Sequence, residues 1–425
     1  MADVLITPAK LQGNVTVPAS KSMGHRAVIC AGLAQGTSIV EGATLSDDIN
    51  VTIQGMRAMG AVIRIDDDRL VITGAGGVNP AETSIDCGES GSTLRFLIPL
   101  ALLGNQRVTF TGRGRLAERP ITEYADICRQ QGLGWESGGG LPVTVQGRLK
   151  SGQFNLRGDV SSQFLSGLLF ALPLLPGNST INITTPLESK GYVDLTLSAL
   201  AKFGVTTSHC EYREFYIRGG QTYKPRDYTV EGDFSQAAFW LVAGTIGGEV
   251  VNCCSLSEAS LQGDKVIASL INTAGGSIRF VDGVLTASPT ATHGTVIDAA
   301  DCPDLVPVLA VLASLSKGET RIIRAGRLRI KESDRLASTA RELSKLGADI
   351  REDGDSLVIQ GKPQLDGGEV DSWQDHRIAM ALAIASIRCK QPVLIHGAEC
   401  VKKSYPGFWQ DFVSLGGMVN ERSMG

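Results

Sequence analysis

The chain has 425 residues, a formal net charge of −4 and 43% hydrophobic residues. This length exceeds what one hydrophobic core usually organises, so we expect two domains, and the balanced charge argues against a general nucleic-acid-binding surface. Nine cysteines without a Cys-x-x-Cys pair indicate reduced thiols and argue against a zinc site. The start MADVLITPAKL lacks the pattern of a signal or transit peptide. We therefore expect a cytoplasmic protein that needs no metal or other cofactor.

Six helix-like segments along the chain end in glycine and recur at nearly constant intervals of 69–72 residues. The glycines are Gly60, Gly132, Gly204, Gly275, Gly347 and Gly416. A fixed period of this length is typical of one supersecondary unit repeated along the chain. Each glycine is expected to end its helix with a positive φ angle, which glycine adopts without steric cost.

The first helix of each unit is predicted from a polar residue followed by an apolar run. Ser or Asp in this place is an N-cap signal, because its side-chain oxygen accepts from free backbone N–H groups. The runs are apolar around most of the helix, which predicts buried helices, yet none reaches the length of a membrane span. In chain order these starts are Ser20–Arg26, Glu89–Arg95, Ser161–Phe164, Asp233–Gln236, Pro303–Pro307 and Asp375–Arg377.

The second helix of each unit is predicted to be amphipathic and to cover the outside of a layer, as in LASTARELSKLG at 336–347. Alternating runs such as AVIRI and SLVIQG predict three or four strands per unit. Buried helices wrapped by sheet would invert the usual α/β layering, and the strand order does not follow from the pattern. A polar stretch at 219–228 separates the third unit from the fourth and is the predicted seam between two domains of three units each.

Cations recur at the predicted helix starts. They are Lys21, Arg26, Arg95, Arg119, Lys331, Arg335, Arg377 and Lys403. Because a cation at a helix N-terminus opposes the helix dipole, the phased set predicts a ligand with more than one anionic group; solvated surface charge is the alternative for each residue alone. Four serines are candidate donors to phosphate or hydroxyl groups, or helix caps, namely Ser22, Ser161, Ser162 and Ser189.

Two acids near these cations, Asp304 and Glu332, are candidate proton-transfer groups. A simple N-cap role is the alternative for Asp304. Asp375 is predicted to hold His376 or an arginine. His376 is predicted to be a buried core residue, with a role in proton relay as the alternative. The chain contains no P-loop, no complete dinucleotide-binding glycine motif and no nucleophile elbow.

On these residues the chain resembles the 5-enolpyruvylshikimate-3-phosphate (EPSP) synthase family of 3-phosphoshikimate 1-carboxyvinyltransferases. The resemblance covers essentially the whole chain, and its most specific segments are SKSMGHRA, GSTLRF, ERPI, SSQFLSGLL, PDLVP, KESDRLA, ELSKLGA, DHRIAMALA and KKSYPGF. It implies an inside-out α/β barrel of two similar domains, each with three βαβαββ units around buried parallel helices. Residues 20–227 would form one domain and residues 1–19 with 228–425 the other, with the active site in the cleft between them.

The activity implied by the resemblance is transfer of the carboxyvinyl group of phosphoenolpyruvate to the 5-hydroxyl of shikimate 3-phosphate, with release of phosphate, a step of chorismate and aromatic amino acid biosynthesis. The two substrates carry two phosphates and two carboxylates, which would explain the cations. Shikimate 3-phosphate would contact Lys21, Ser22, Arg26, Ser161, Ser162, Gln163, Ser189, Asp304 and Lys331. Phosphoenolpyruvate would contact Lys21, Gly91, Arg119, Gln163, Arg335, Arg377 and Lys403.

The catalytic residues implied by the resemblance are Asp304, Glu332 and Lys21. Asp304 would accept the proton of the 5-hydroxyl, Glu332 would handle the proton at the methylene carbon, and Lys21 would reach both substrates. Tyr192 matches a ring-contact position. Because Gly91 is retained where a larger side chain would crowd phosphoenolpyruvate, we expect inhibition by glyphosate.

Two positions depart from the family pattern, since Glu89 and Arg327 each stand where many members have Asn. One alternative function is UDP-N-acetylglucosamine carboxyvinyl transfer, but Gly114 stands where that sister family usually has Cys. The other is a non-catalytic anion-binding repeat protein, against which the intact acids argue. The expected partners are the two small-molecule substrates, with no nucleic acid and no membrane, and the expected state is a monomer.

Overall fold

A computed structural model of the chain describes residues 2–80 and 82–423. The α-helices in this part of the chain are α1 (Lys21–Leu33), α2 (Asp47–Ala58), α3 (Gly91–Ala101), α4 (Thr122–Gln131), α5 (Ser162–Ala171), α6 (Lys190–Lys202), α7 (Phe234–Gly247), α8 (Ile267–Thr273), α9 (Val306–Ser314), α10 (Arg335–Lys345), α11 (His376–Ser386) and α12 (Phe408–Ser414).

The strands of the first half are β1 (Ala2–Thr7), β2 (Gly13–Thr16), β3 (Gln35–Glu41), β4 (Val62–Asp66), β5 (Arg69–Ala75), β6 (Ser84–Asp86), β7 (Val108–Thr111), β8 (Gly134–Ser137), β9 (Val143–Gln146), β10 (Gln153–Leu156), β11 (Ser179–Ile183), β12 (Thr207–Cys210), β13 (Glu214–Ile217) and β14 (Tyr228–Thr229). Those of the second half are β15 (Val251–Cys254), β16 (Ser277–Val281), β17 (Val284–Ser288), β18 (Val296–Asp298), β19 (Glu319–Ile323), β20 (Asp349–Asp353), β21 (Ser356–Gln360), β22 (Gly368–Asp371), β23 (Val393–His396) and β24 (Met418–Ser423).

The strands between residues 2 and 423 form four-stranded sheets that all share one topology. In the sheet β6-β7-β9-β8, for example, β6 and β7 are parallel, while β9 is antiparallel to both β7 and β8. The same pattern holds for β10-β11-β13-β12, β14-β3-β5-β4, β2-β15-β17-β16, β18-β19-β21-β20 and β22-β23-β1-β24. In β6-β7-β9-β8, β10-β11-β13-β12 and β18-β19-β21-β20 a helix crosses over between the parallel strands, and each sheet with its two helices makes one continuous βαβαββ unit. The other sheets have the same order of strands, but each takes one strand, β14, β2 or β1, from a distant part of the chain.

The chain divides into two compact units. The inserted unit comprises Ala19–Val230, and the flanking unit comprises the described residues on either side of it. In the inserted unit α1, α3 and α5 are the buried helices, and β14 closes the first sheet by pairing with β3, with Tyr228 opposite Val40.

The flanking unit is completed by the N-terminal strands. β1 lies inside a sheet, where Leu5 pairs with Leu394 of β23 and with Asn420 of β24. β2 lies at the edge of another sheet beside β15. The buried helices here are α7, α9 and α11, and every residue of α7 is buried. This agrees with their apolar sequences and confirms the prediction that the first helix of each unit is buried.

The six period-marking glycines all have positive φ angles, as predicted. The values are 103° at Gly60, 70° at Gly132, 80° at Gly204, 88° at Gly275, 91° at Gly347 and 101° at Gly416. These angles lie in the region where a Cβ atom is unfavourable, so the repeat is punctuated by a conformational requirement of the backbone.

The N-cap predictions are confirmed at several buried helices. Ser90, Ser161, Asp233 and Asp375 each accept a hydrogen bond from a first-turn N–H of α3, α5, α7 and α11. At α1 the Ser20 side chain makes no such bond. Within residues 2–80 and 82–423, no helix combines the length and the apolar character required to cross a lipid bilayer.

Candidate active site

The first helix of the inserted unit begins with Lys21, whose Nζ lies 2.7 Å from Asp48 Oδ2 at the start of α2. The side chains of Lys21 and Asp48 are only 16% and 13% exposed. A lysine ammonium group carries three N–H donors. The contact with Asp48 fixes this group at the start of α1, where the sequence predicts an anionic ligand.

Arg26 lies on the next turn of α1 and fastens this helix to α6. Its guanidinium donates to the Ser22 carbonyl at 2.6 Å, to the Tyr192 carbonyl at 2.7 Å and to Thr196 Oγ1 at 2.8 Å. Burial lowers the pKa of Arg26 to about 10, so the group remains charged at neutral pH. The structure thus joins Arg26 with Ser22 and Tyr192.

Three predicted phosphoenolpyruvate contacts meet at the start of α3. A Cβ atom on Gly91 would lie 2.9 Å from Arg119 Nη1, 2.9 Å from Arg95 Nη1 and 3.3 Å from Gln163 Oε1. Gln163 is held by Arg95 Nη1 at 2.7 Å and donates to Ser92 Oγ at 2.9 Å. Gly91 therefore leaves room for two guanidinium groups beside a helix N-terminus, an arrangement that suits an anion.

The candidate serines lie at the starts of α5 and α6. Ser161 caps α5 by accepting from the Gln163 N–H, and Ser162 is the buried first residue of that helix. Ser189 precedes α6, is buried and has a φ of 57°. A left-handed serine is uncommon, and such residues are often found at functional sites.

In the flanking unit Asp304 is surrounded by three cations. Its carboxylate lies 2.8 Å from Arg335 Nη1, 3.0 Å from Arg377 Nη2 and 3.3 Å from Lys331 Nζ. Burial by itself raises the pKa of Asp304, but Arg377, Lys331 and Arg335 together hold it well below its ordinary value. The N-cap of α9 is Leu305 and not Asp304, whose carboxylate pairs with the three cations.

Arg335 is the most buried of these cations, with only 1% of its side chain exposed. Asp375 accepts from its Nε at 2.7 Å and its Nη2 at 3.2 Å, and Glu332 Oε2 lies 2.6 Å from Nη2. Burial lowers the pKa of Arg335, but Asp375, Glu332 and Asp304 raise it above its ordinary value. The prediction that Asp375 holds an arginine is confirmed, and His376 is buried as expected.

Three predicted cations precede the outer helices and are not on their first turns. Arg119 follows the 3₁₀ helix Gly114–Glu118, Lys331 follows Gly326–Ile330, and Lys403 ends Ala398–Lys403. Lys403 Nζ donates to the Gln374 carbonyl at 2.7 Å. The prediction that these three cations lie at helix starts is therefore wrong in detail. They lie at the ends of short 3₁₀ helices that occupy the same place in their units.

A family model described as EPSP synthase (3-phosphoshikimate 1-carboxyvinyltransferase) matches residues 5–412. The chain belongs to the EPSP synthase family. A 3-phosphoshikimate 1-carboxyvinyltransferase of Clostridium kluyveri is 52% identical and covers 100% of both chains, and one of Clostridium perfringens is 52% identical over 99% of this chain and 100% of the relative.

The fold of this EPSP synthase family member is also that of solved family structures. The structure of EPSP synthase from Acinetobacter baumannii matches with a TM-score of 0.84 at 26% identity, covering 100% of both chains. The predicted fold class, α/β with two similar domains of three βαβαββ units around buried helices, is confirmed.

The two positions at which the sequence departs from the expected Asn, Glu89 and Arg327, lie near turns that precede predicted cations. Glu89 sits beside Gly114, where an added Cβ would lie 2.7 Å from Glu89 Oε2, and Gly114 has a φ of 57°. Arg327 lies within Gly326–Ile330, directly before Lys331, and contributes to a lowered pKa of Lys331 whose largest cause is burial.

Several site neighbours in this EPSP synthase family member do not follow from the sequence pattern. Ser235 accepts from Arg377 Nη2 at 3.0 Å, and Gln374 supplies the carbonyl that holds Lys403. Asp48 at the start of α2 is the partner of Lys21, and the repeat pattern does not identify it as such. Because these residues act through long-range contacts, a periodic sequence pattern carries no signal for them.

Proposed function

We propose that this chain transfers the carboxyvinyl group of phosphoenolpyruvate to the 5-hydroxyl of shikimate 3-phosphate and releases phosphate. The observation that carries the proposal is the group around Asp304, in which a carboxylate and three cations converge beside Glu332. Membership of the EPSP synthase family supports the same reaction. Proton transfer by carboxylates and neutralisation of anionic substrates are the two requirements of this chemistry.

Phosphoenolpyruvate is the proposed ligand of two groups of residues. In the flanking unit these are Arg335, Arg377 and Lys403. In the inserted unit they are Lys21, Gly91, Arg119 and Gln163. The support is chemical, because each group presents buried or half-buried cations to a ligand that carries a phosphate and a carboxylate.

Shikimate 3-phosphate is the proposed ligand of residues mainly at the starts of α1, α5 and α6. They are Lys21, Ser22, Arg26, Ser161, Ser162, Gln163 and Ser189, with Asp304 and Lys331 from the flanking unit and Tyr192 beside the ring. Helix N-termini and hydroxyls suit a phosphate ester. We also propose functional domains of residues 20–227 and of 1–19 with 228–425, both of which the reaction requires.

Asp304 needs substrate to become a base. A carboxylate whose pKa lies well below its ordinary value accepts a proton poorly. Burial raises the pKa of Asp304, but Arg377, Lys331 and Arg335 lower it by more. When the anionic groups of phosphoenolpyruvate pair with Arg335 and Arg377, the attraction of these cations for Asp304 weakens. The pKa of Asp304 then rises. Its carboxylate can take the proton of the 5-hydroxyl while the hydroxyl oxygen bonds to C2 of phosphoenolpyruvate.

Glu332 completes the proton balance. In the addition step the protonated Glu332 carboxyl gives its proton to C3 of phosphoenolpyruvate while the 5-hydroxyl oxygen bonds to C2, which produces a tetrahedral intermediate. In the elimination step Glu332 takes a proton back from the methyl carbon, the bond from C2 to the phosphate oxygen breaks, and the vinyl group is restored. Asp304 gives the proton it took from the 5-hydroxyl to the leaving phosphate, so both acids return to their starting states. The contact of Glu332 with Arg335 at 2.6 Å keeps it beside the proposed phosphoenolpyruvate position.

The proposed state is a monomer inhibited by glyphosate. All the proposed binding residues belong to one chain, and glyphosate, which carries a phosphonate and a carboxylate, would compete for the cations proposed for phosphoenolpyruvate. Dilution-series light scattering tests the first point, and competition against phosphoenolpyruvate tests the second.

The deciding experiment measures phosphate release from phosphoenolpyruvate with shikimate 3-phosphate, and separately with UDP-N-acetylglucosamine. We expect release only with the shikimate ester, and a kcat about 10²–10⁴-fold lower in Asp304→Asn. Asp366→Asn is the matched control, because Asp366 forms one exposed ion pair with Lys390. Release only with the UDP-sugar, or full activity in Asp304→Asn, would contradict the proposal.

A further inference from the structure

Glu342 is a fully buried acid on the outer helix α10, outside the set of proposed substrate contacts. Its side chain is 1% exposed and accepts from three donors. They are Lys345 Nζ at 2.7 Å, the Asp371 N–H at 2.9 Å and Trp373 Nε1 at 2.8 Å. Asp371 ends β22 and Trp373 lies in the turn between β22 and α11, so Glu342 ties the outer helix to the start of that turn.

The turn held by Glu342 has an uncommon backbone. Trp373 and Gln374 have φ angles of 55° and 53°, and both are residues that carry a Cβ. Consecutive left-handed residues of this kind persist only where the surroundings fix them. The Trp373 N–H donates to Asp371 Oδ1 at 2.5 Å, and the Gln374 N–H donates to Ser372 Oγ at 3.2 Å.

The same turn holds two of the site cations. The Gln374 carbonyl accepts from Lys403 Nζ at 2.7 Å, and the next residue, Asp375, accepts from Arg335 Nε at 2.7 Å. The left-handed conformation of Gln374 directs its carbonyl toward Lys403. The position of Asp375 at the start of α11 directs its carboxylate toward Arg335. The positions of Lys403 and Arg335 therefore depend on a turn whose shape depends in part on Glu342.

We propose that Glu342 is a positioning residue that sets Lys403 and Arg335 for phosphoenolpyruvate by fixing the Trp373–Gln374 turn. The identity of the ligand rests on the function proposed above, whereas the coupling of Glu342 to the turn does not. Glu342 touches no substrate in this proposal. Removal of the Glu342 carboxylate should weaken the binding of phosphoenolpyruvate more than that of shikimate 3-phosphate, because the cations that contact this turn, Lys403 and Arg335, are both assigned to phosphoenolpyruvate.

The test compares Glu342→Gln, Trp373→Phe and the double variant in the full chain. The amide of Glu342→Gln keeps one acceptor oxygen but turns an NH₂ group toward one of the three donors. We expect KM for phosphoenolpyruvate to rise about tenfold, with KM for shikimate 3-phosphate within about twofold of wild type. Trp373→Phe should act in the same direction, and the double variant should show less than the product of the two effects, since both break one contact.

Lys345→Met is the matched control. It removes the partly exposed third donor to Glu342, with 42% of the lysine side chain exposed, and leaves the turn contacts in place. We expect its KM values to match wild type. Equal rises in both KM values in Glu342→Gln, or a lower melting temperature with unchanged KM values, would overturn the proposal and leave Glu342 as a structural residue.

A second readout separates this proposal from the proposed function. The chain has four tryptophans, so a ¹H–¹⁵N spectrum should show few indole N–H signals. The signal that is missing from the spectrum of Trp373→Phe belongs to Trp373. Glu342→Gln should move the Trp373 signal, and should weaken binding of phosphoenolpyruvate alone, measured by calorimetry. If the wild-type protein released no phosphate but Glu342→Gln still moved the Trp373 signal, the result would contradict the proposed function and leave the coupling standing. An unmoved Trp373 signal would refute the coupling, and if Glu342→Gln fails to fold, Trp373→Phe supplies the same KM comparison.

Discussion

Gly91 shows how one missing side chain shapes the candidate site. An added Cβ would lie 2.9 Å from nitrogen atoms of both Arg119 and Arg95, closer than real Cβ contacts allow. The atoms in the way are the ends of flexible side chains, so the protein should still fold while the guanidinium groups move. The φ angle of Gly91 is not in the left-handed region, so the backbone does not require glycine here. The close approach of the two guanidinium groups does.

We expect Gly91→Ala to raise KM for phosphoenolpyruvate about tenfold and to raise the inhibition constant of glyphosate by a larger factor, with KM for shikimate 3-phosphate little changed. Steady-state kinetics with and without glyphosate measure all three values. Gly104→Ala is the control, since its Cβ would meet nothing closer than 3.8 Å. An unchanged inhibition constant in Gly91→Ala would argue that glyphosate binds elsewhere.

Asp304 provides a prediction about pH. In the free protein its pKa lies well below the ordinary 3.8, so the carboxylate protonates only in strong acid. If bound phosphoenolpyruvate draws Arg335 and Arg377 away, the pKa of Asp304 rises in the substrate complex. Because kcat/KM reports the free enzyme and kcat reports the complex, the acid-side loss of kcat due to Asp304 should occur at higher pH than that of kcat/KM.

Full pH profiles of both parameters measure this difference. Arg377→Lys serves as a comparison, because it keeps a charge but loses the paired donors that face Asp304 and Ser235. It should narrow the separation between the two profiles. Coincident acid limbs in wild type would show that substrate binding does not change the basicity of Asp304.

At the level of elements, the repeat pattern predicted the helix ends better than the connections. All six closing glycines have positive φ, and Ser90, Ser161, Asp233 and Asp375 cap their helices, because both features depend on a few neighbouring residues. The central place of β1 in its sheet and the burial of Glu342 depend on residues far away in the chain. A local pattern carries no record of such partners.

The tether of β1 is expected to depend on pH. His396 of β23 lies 2.6 Å from Glu369 Oε1 of β22 and 2.7 Å from Asp3 Oδ2 of β1. Hydrogen bonds to Glu369 and then Asp3 raise the pKa of His396 above its ordinary 6.5. Its stabilising effect is therefore full below pH 6.5 and is lost as the pH rises through the raised value.

Urea unfolding of wild type and His396→Gln from pH 5.5 to 8.5 measures this effect. At low pH we expect the free energy of unfolding of wild type to exceed that of His396→Gln by less than about 1 kcal/mol, because Glu369 is exposed. This difference between the two proteins should vanish at high pH. Glu369→Gln should reduce the pH dependence by removing its largest cause. A difference that grows with pH would show that His396 is neutral in the folded protein.

At the scale of the whole molecule, each compact unit is completed by a strand that is distant in sequence. In the inserted unit this is β14, which pairs with β3, and in the flanking unit it is β1 together with β2. The sixfold period could be predicted because it repeats along the chain. The closure does not follow from this period, because a strand that completes a sheet from the other end of the chain has no periodic neighbour to reveal it. Only the family resemblance implied it, by assigning residues 1–19 to the second domain.

This connectivity predicts how fragments of the chain will behave. A fragment of residues 19–230 contains every strand of the inserted unit and should unfold cooperatively in urea. A fragment of residues 231–425 lacks β1, an interior strand of its sheet, and the buried side chains of Leu11 and Val15. It should show a broad, low-cooperativity transition, because the gap leaves β23 and β24 without their shared partner.

A rearranged chain tests whether the missing strands are the cause. β1 and β24 are antiparallel, and Ala2 pairs with Ser423, so a short Gly-Ser linker can join residue 425 to residue 1. Residues 231–425 followed by this linker and residues 1–18 should regain a sharp urea transition. The same rearranged chain with Val4 and Ile6 replaced by Asp is the control, since both side chains are buried on β1. A cooperative transition in 231–425 alone would mean that the N-terminal strands add to a unit that already folds without them.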